Sequence, residues 1–547
     1  MGTTRRDVIR NLAALPLARI PDADPDVILF NGLVYTARPE RPNATAMAIR
    51  DGRILAVGED REILALAGKN IRRIDLARRR VFPGFNDAHS HPWSSGLDQL
   101  QQVACDKTSI EEILQALHAR AVQTPPGEWV QGFMYDDGKT PRPLNIADLD
   151  SAVADHPVMV THRGGHTAFV NSLALKMTGV TSATRNPPGG QYDRGADGQL
   201  DGRIADAAVS AMMARIPKNA SREDHRHAVA LVSKLYASFG VTSACDADVE
   251  PAGIQAYQDA RDSGELLFRT YCHVDIDFLD RYIAAGLHTG FGDSMVRIGG
   301  VKQYADGSIS ERTAWLADPY IGIPGYFGVE VGTRESLYAN SRKAWQAGFQ
   351  LCTHANGERA IDRMLGIYEQ LQREMPRRDP RFRLEHCTVV TPQLIARMKS
   401  VGAIPIPFAG YVNFHGDVMH FYGEERTNRM FAYRSMIDAG LRPPTSSDYT
   451  ASPPSPMLWL YSMTTREDPS GHVWGAGQRI TLTEALRAAT LDGAYSSFEE
   501  HDKGTLEDGK LADLVVLKED PLNLPAEHWQ DIKVERTMLG GKWVYES

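Results

Sequence analysis

Apolar residues alternate with polar ones through several short segments near the start of the chain. Asp26-Val-Ile-Leu-Phe30, Gly32-Leu-Val-Tyr35, Ala46-Met-Ala-Ile49 and Arg53-Ile-Leu-Ala-Val57 predict strands, and Asp51-Gly52 predicts a hairpin turn. The last segments, Ala512-Asp-Leu-Val-Val-Leu517 and Val534 to Tyr545, have the same character. Between these ends the pattern changes. Apolar runs at 81–85, 241–246, 268–273, 297–302, 350–354, 383–386, 402–407 and 442–448 alternate with stretches of helical period, the signature of βα repeats around a parallel sheet. Eight such runs are what a closed (β/α) barrel requires.

These patterns predict an α/β chain: a distorted (β/α)8 TIM barrel over residues 81–504, with an inserted segment at about 95–235 after the first barrel strand. Residues 24–80 and 505–547 are expected to meet as one small β-sandwich domain, and residues 1–23 form an N-terminal tail. The insertion is expected because the first and second runs lie too far apart for one helical crossover.

Charge and cysteine usage narrow the function. Lys+Arg total 60 against 69 Asp+Glu, a net charge of −9, and no long basic run is present; gripping a phosphate backbone is excluded. No apolar stretch reaches the roughly 18 residues that cross a bilayer, so no membrane partner is expected. Five scattered cysteines without a CxxC pair fit a reducing compartment. Arg5-Arg6 before the short apolar stretch Asn11–Ala18 resembles a weak twin-arginine export signal, but Pro16 interrupts it. Cytoplasm is the expected location.

Candidate chemistry sits at the ends of the predicted strands. Val81-Phe-Pro-Gly-Phe-Asn-Asp-Ala-His-Ser-His91 places His89 and His91 two residues apart on a strand, where both imidazoles face one side. Lys302, His354, His386 and Asp448 close four later runs. One such residue is ordinarily a cap or a solvated group; six at successive strand ends converge on the face where barrel enzymes hold their ligands.

With these residues in place, the sequence resembles the amidohydrolase superfamily, in its YtcJ-like and N-substituted formamide deformylase-like subgroup. The resemblance runs from about residue 26 onward. It rests also on Gly165-His166-Thr-Ala-Phe-Val-Asn171, Pro188-Gly-Gly190, Lys302-Gln-Tyr-Ala-Asp306-Gly-Ser308 and Gly504 to Leu517.

The resemblance implies two divalent metal ions, with imidazole and carboxylate ligands that fit zinc. His89, His91 and Asp448 would hold one ion, and His354 and His386 the other. Lys302 would bridge them, and because an ammonium has no acceptor, it would do so as an N6-carboxylated lysine. Asp448 would also be the general base. His166 would donate to the substrate carbonyl oxygen, with Asn171 beside it, unless the two only fix a turn.

Trp93, Tyr135 and Tyr304 are expected as walls for a small-molecule substrate. Asp306 and Arg312 are expected either to pair with each other or to hold substrate. Cys387 is assigned to packing, and Cys352, on the same strand face as His354, to the site. Aromatic residues across 408–430 predict a loop over the site.

The expected reaction is hydrolysis of a non-peptide amide-type C–N bond, in an N-substituted formamide or related small amide, by a metal-bound hydroxide. Alternatives keep the metal site but act on a lactone, on a cyclic imide or as a lyase, or make the chain a non-catalytic binding or regulatory protein. Two segments depart from the family pattern, Ile404-Pro-Ile-Pro407 and Ser446-Ser-Asp448, so a changed pocket floor, and with it a different substrate, is expected. Exposed strand edges and a broad barrel surface allow a homodimer.

Overall fold

The computed structural model describes residues 24–68 and 71–547; the twin-arginine-like segment and the tail over residues 1–23 lie outside them. Seven strands form one parallel sheet: β1 (Phe85–Ser90), β2 (Val241–Val249), β3 (Arg269–Asp275), β4 (Val296–Tyr304), β5 (Leu351–Ala355), β6 (Phe382–His386) and β7 (Ala403–Ile406). They pair in strict sequence order. Helices Pro251–Asp262, Arg334–Gln346, Glu358–Glu374 and Pro392–Val401 make crossovers, as parallel pairing demands.

Two expected runs differ. The run 81–85 is split at Gly84: Arg80–Pro83 belongs to a separate sheet, and β1 begins at Phe85. A Cβ at Gly84 would lie 2.0 Å from Thr242 Oγ1, so only glycine lets the chain pass from one sheet to the other there. The run 442–448 carries no regular strand. Pro443 and Pro444 remove two backbone donors and preclude a ladder. The segment still spans the gap between the edges: Ala88 N–H donates to Thr445 O (2.9 Å), Asp448 N–H to His89 O (2.8 Å), and Ala409 N–H to Ser446 O (3.0 Å).

The two ends of the chain meet in a six-stranded sheet. Strand Leu514–Leu517 lies antiparallel to Arg80–Pro83, and Val534–Leu539 and Lys542–Glu546 continue it. A four-stranded sheet of Arg53–Gly58, Ala46–Arg50, Val27–Phe30 and Arg72–Asp75 shares its core, where Leu29, Met47 and Ile49 pack with Val34, Val81, Leu514 and Val516.

The segment after β1 holds a six-stranded sheet of its own, in the order Gly190–Arg194, Leu200–Asp206, Thr167–Val170, Val158–His162, Val130–Tyr135, Val103–Ala104. Ile113, Leu117, Val130, Leu149, Val160 and Phe169 fill one of its faces. Among the described residues, no helix is long and apolar enough to cross a membrane.

Candidate metal centre

β1 delivers two imidazoles to the C-terminal end of the parallel sheet. His89 is fully buried, and His91 caps the helix Pro92–Gln101 that follows the strand. Each ring is fixed through one nitrogen. His89 Nδ1–H donates to Glu385 Oε2 (2.5 Å), and His91 Nδ1–H donates to Ala247 O (2.9 Å). Both Nε2 lone pairs therefore turn toward Asp448, whose Oδ1 lies 3.5 Å from His89 and 3.2 Å from His91. Asp448 Oδ1 is buried and accepts no hydrogen bond.

Opposite them, the rings of His354 and His386 stand 4.4 Å apart, and His386 lies 4.7 Å from His89. His354 Nε2 is engaged by the surrounding chain, 3.0 Å from both Gly307 O and Asn356 Nδ2, which leaves Nδ1 as the nitrogen to ligate. His386 Nδ1 is buried without a partner. Glu385 and His386 are adjacent, yet both face the centre, because His386 has φ +68°. Asp448 is turned inward in the same way, at φ +54°. Positive φ is strained for such residues and clusters at functional sites.

Lys302, 1% exposed, reaches the centre from β4. Its Nζ lies 3.4 Å from His89 Nε2 and 4.6 Å from the Tyr304 ring centroid. Burial, followed by the charge of Lys302, drives His89 well below the ordinary imidazole value. Burial does the same to His354 and His386, so all three rings are neutral and able to ligate. Burial alone would also lower His91, but the carboxylates of Asp448 and Asp246 together outweigh it and raise the ring. Inward lone pairs, an unpartnered carboxylate oxygen and a buried lysine fit the imidazole and carboxylate donor set of a divalent cation.

His166 joins this group from the inserted sheet. Its ring is 4.6 Å from His354 and 6.0 Å from Tyr304, and Nδ1–H donates to Asp206 Oδ1 (2.8 Å). Tyr304 forms a wall 5.3 Å from His354, and its hydroxyl donates to Asp248 Oδ2 (2.8 Å). Phe408 stacks on His386 at 4.5 Å and continues into Tyr411, which begins the expected aromatic loop.

Three expected substrate contacts lie elsewhere. Trp93 faces the helix Arg222–Ser238, donating through Nε1 to His225 (3.1 Å). Tyr135 is buried in the inserted sheet, where its hydroxyl binds Leu144 N–H (2.9 Å) and Thr140. Asn171 caps a helix: it accepts from Val158 and Ala174 N–H and donates to Val153 and His156 carbonyls, which uses its amide completely. Nearness in sequence to a ligand does not set the direction of a helical or inserted side chain.

Asp306 and Arg312 do not pair with each other. Asp306 accepts three backbone N–H groups, and Arg312 binds Asp137 (3.2 Å). Cys387 packs outward against Met398, as expected, and Cys352 lies against Gly300 in the sheet interior.

Sequence reasoning missed Arg383, Glu385, Asp206, Asp248 and Glu311, which orient the other groups. Arg383 and Glu385 are two apart on β6, and that parity was the available signal. A second imidazole–carboxylate cluster, Asp136, Asp137 and His162, lies in the inserted sheet. There His162 Nε2 faces Asp137 (3.4 Å) and Asp136 (3.8 Å) while Nδ1 faces Glu311 (3.6 Å), and these carboxylates raise the ring well above its ordinary value, so the cluster is built as an ion-pair network.

The amidohydrolase family pattern matches residues 72–545. The chain belongs to the amidohydrolase family. As a member it is a hydrolase of carbon–nitrogen bonds other than peptide bonds, with groups able to hold metal. It is 30% identical to the LONG AFTER FAR-RED 3 protein of Arabidopsis thaliana, over 95% of this chain and 91% of that one. It is 26% identical to the N-substituted formamide deformylase of Arthrobacter pascens, over 95% and 98%. The fold is similar to that of an uncharacterized metal-dependent hydrolase from Pyrococcus horikoshii, with a TM-score of 0.74 and 24% identity over 92% of this chain and 99% of that one.

Proposed function

We propose that this amidohydrolase hydrolyses an N-substituted formamide or a related small amide at a binuclear metal centre. The observation that carries the reading is the convergence of His89, His91, Lys302, His354, His386 and Asp448, with inward lone pairs and an unpartnered Asp448 oxygen. His89, His91 and Asp448 hold one cation, and His354 and His386 hold the other. Lys302 would join the two ions as an N6-carboxylated side chain, its Nζ buried beside the His89 imidazole and the Tyr304 ring. Zinc suits this donor set.

When bound, two such cations make water a competent nucleophile near neutral pH and polarise an amide carbonyl. The side chains do the rest. Asp448, an acceptor-only group facing both His89 and His91, takes the proton released from water and returns it to the leaving nitrogen. His166, held by Asp206 with its ring 4.6 Å from that of His354, orients the carbonyl oxygen. Tyr304 and Phe408 give apolar walls to the amine or acyl substituent. The name and similarity of the Arthrobacter deformylase favour a formyl group among acyl groups.

The proposed domain division follows the same logic. The bridging segment 442–448 closes the parallel sheet as a distorted barrel, and the chain ends form a sandwich beside it. The five cysteines are buried and free, in keeping with a cytoplasmic enzyme.

Elemental analysis of wild-type and Lys302→Ala protein tests the centre. Near two ions per chain, falling to one or none in the variant, is the expected result, followed by turnover of N-substituted formamides by the wild type. An absence of metal in the wild type after reconstitution with zinc and bicarbonate would remove the reading.

A further inference from the structure

A charged pair lies directly beneath the candidate metal centre. Arg383 and Glu385 are both completely buried, on the same side of β6. The guanidinium is used on every side. Nε donates to Glu385 Oε1 (2.6 Å) and Nη2 to Oε2 (3.1 Å), a two-pronged contact; Nη2 also donates to Ala88 O (2.5 Å), and Nη1 to Ser496 Oγ (3.1 Å). Arg383 is thereby tied to the residue before His89, while Glu385 Oε2 accepts the His89 Nδ1 proton.

Burying an ion pair costs desolvation that its attraction rarely recovers, and an apolar pair of similar volume would stabilise a sheet interior as well. Charge retained there calls for another explanation. The arrangement around the other ligands supplies one. His91 donates to a neutral backbone carbonyl, that of Ala247; His354 Nε2 meets Gly307 O and Asn356 Nδ2, both neutral; and His386 Nδ1 has no partner. Among these four imidazoles only His89 is hydrogen-bonded to a carboxylate; Asp306 Oδ1, 3.8 Å from His354 Nε2, is too far for a hydrogen bond. A carboxylate accepting the outer N–H fixes the tautomer and makes the inner nitrogen a stronger donor. His89, Glu385 and the nearby His273 also lie close enough together to suggest a cation among them. The 2.5 Å contact between His89 and Glu385 already fills that space.

We propose that Arg383 and Glu385 are positioning residues that act through His89, so that the ion held by His89, His91 and Asp448 is bound more tightly than the ion held by His354 and His386. This rests on the binuclear reading above. Glu385 orients and polarises the imidazole; Arg383 pairs with Glu385 and anchors it to the β1 backbone.

The test is chelator competition on the zinc-loaded protein, with the ion retained at each step counted by elemental analysis. The variants are Glu385→Gln alone and Glu385→Gln with Arg383→Met, the latter leaving no uncompensated buried charge. One ion is expected to leave the double variant at about 10- to 100-fold lower chelator concentration, while release of the other moves less than about twofold on the same scale. The single variant, which retains an acceptor for His89, falls between. Nitrogen-15 NMR of the zinc-free protein should show the His89 Nδ1–H tautomer in the wild type and a tautomer mixture in the double variant.

Unchanged release of both ions overturns the proposal. So does equal weakening of both together with a lowered melting temperature, which is the mark of a merely structural pair. A wild type that holds no zinc removes the binuclear reading itself, and the proposal with it. A wild type holding two ions and a double variant holding both as firmly removes this proposal alone.

Discussion

His166 Nδ1 and Asp206 Oδ1 are joined at 2.8 Å by a register that the inserted sheet imposes. Thr167 pairs with Ala205 in antiparallel strands, so the residues just outside the pair meet, and Asp206 N–H also donates to His166 O (2.7 Å). Asp206 has φ +51°, a strained conformation that aims its carboxylate at the ring. Burial alone would lower the His166 pKa, but the Asp206 hydrogen bond and the charges of Asp206 and Glu311 together outweigh it and raise the ring. Asp206→Ala should therefore lower kcat at least about tenfold, with a smaller change in KM. In a His166→Ala background the same change should have no further effect on kcat. Additive losses would show that Asp206 acts elsewhere.

Asp448 is proposed as both ligand and base, and the two roles separate in one variant. Asp448→Asn keeps an oxygen donor but cannot take a proton. Turnover should fall by about 10²- to 10⁴-fold while elemental analysis still finds metal. Near-normal turnover with metal retained would refute the base assignment.

Much of this candidate centre was legible in the sequence because the residues proposed as its ligands obey strand parity. His89 and His91 are two apart, and Lys302, His354, His386 and Asp448 close the fourth, fifth, sixth and eighth runs. What was not legible depends on backbone turns and on partners distant in sequence. Glu385 faces the same way as its neighbour His386 only because His386 adopts positive φ. Asp206 meets His166 across 40 residues through a sheet whose short strands the Gly- and Pro-rich pattern hid. The terminal strands were readable from alternation, whereas the pairing of Leu514–Leu517 with Arg80–Pro83 redirected the run expected to open the barrel.

Acid stability should depend on Glu311. This buried carboxylate accepts from Thr167 Oγ1 (2.6 Å) and faces His162 Nδ1 at 3.6 Å. Burial would raise its pKa, but His162, His166 and the Thr167 hydroxyl together outweigh this and lower it to about 2. A carboxylate depressed on folding stabilises the folded state above its unfolded value of about 4.3, and the contribution disappears as pH falls through the folded value. Glu311→Gln should melt below the wild type at pH 7, by an amount equivalent to roughly 2–3 kcal/mol. The gap should close between pH 5 and pH 2. A gap that persisted at pH 2 would mean that shape, not charge, sets the cost.

Gly96 links helix packing to the metal ligands. It lies in Pro92–Gln101, and a Cβ there would sit 2.2 Å from the backbone oxygen of Ala228 on the helix Arg222–Ser238. The contact is with backbone, so Gly96→Ala must push the two helices apart. His91 caps the displaced helix, and both His91 N–H (3.1 Å) and Ser95 Oγ (3.2 Å) donate to Tyr449 O, next to Asp448. The substitution should cost about 1–3 kcal/mol of stability, as overpacking does, and should also weaken metal binding. Gly477→Ala is the control, since a Cβ at Gly477 meets nothing within 4 Å and its stability change should stay within about 0.5 kcal/mol. Thermal melting and chelator competition on both variants decide the matter: a Gly96→Ala protein that melted lower yet held its metal as tightly as the wild type would break the link between helix position and ligand geometry.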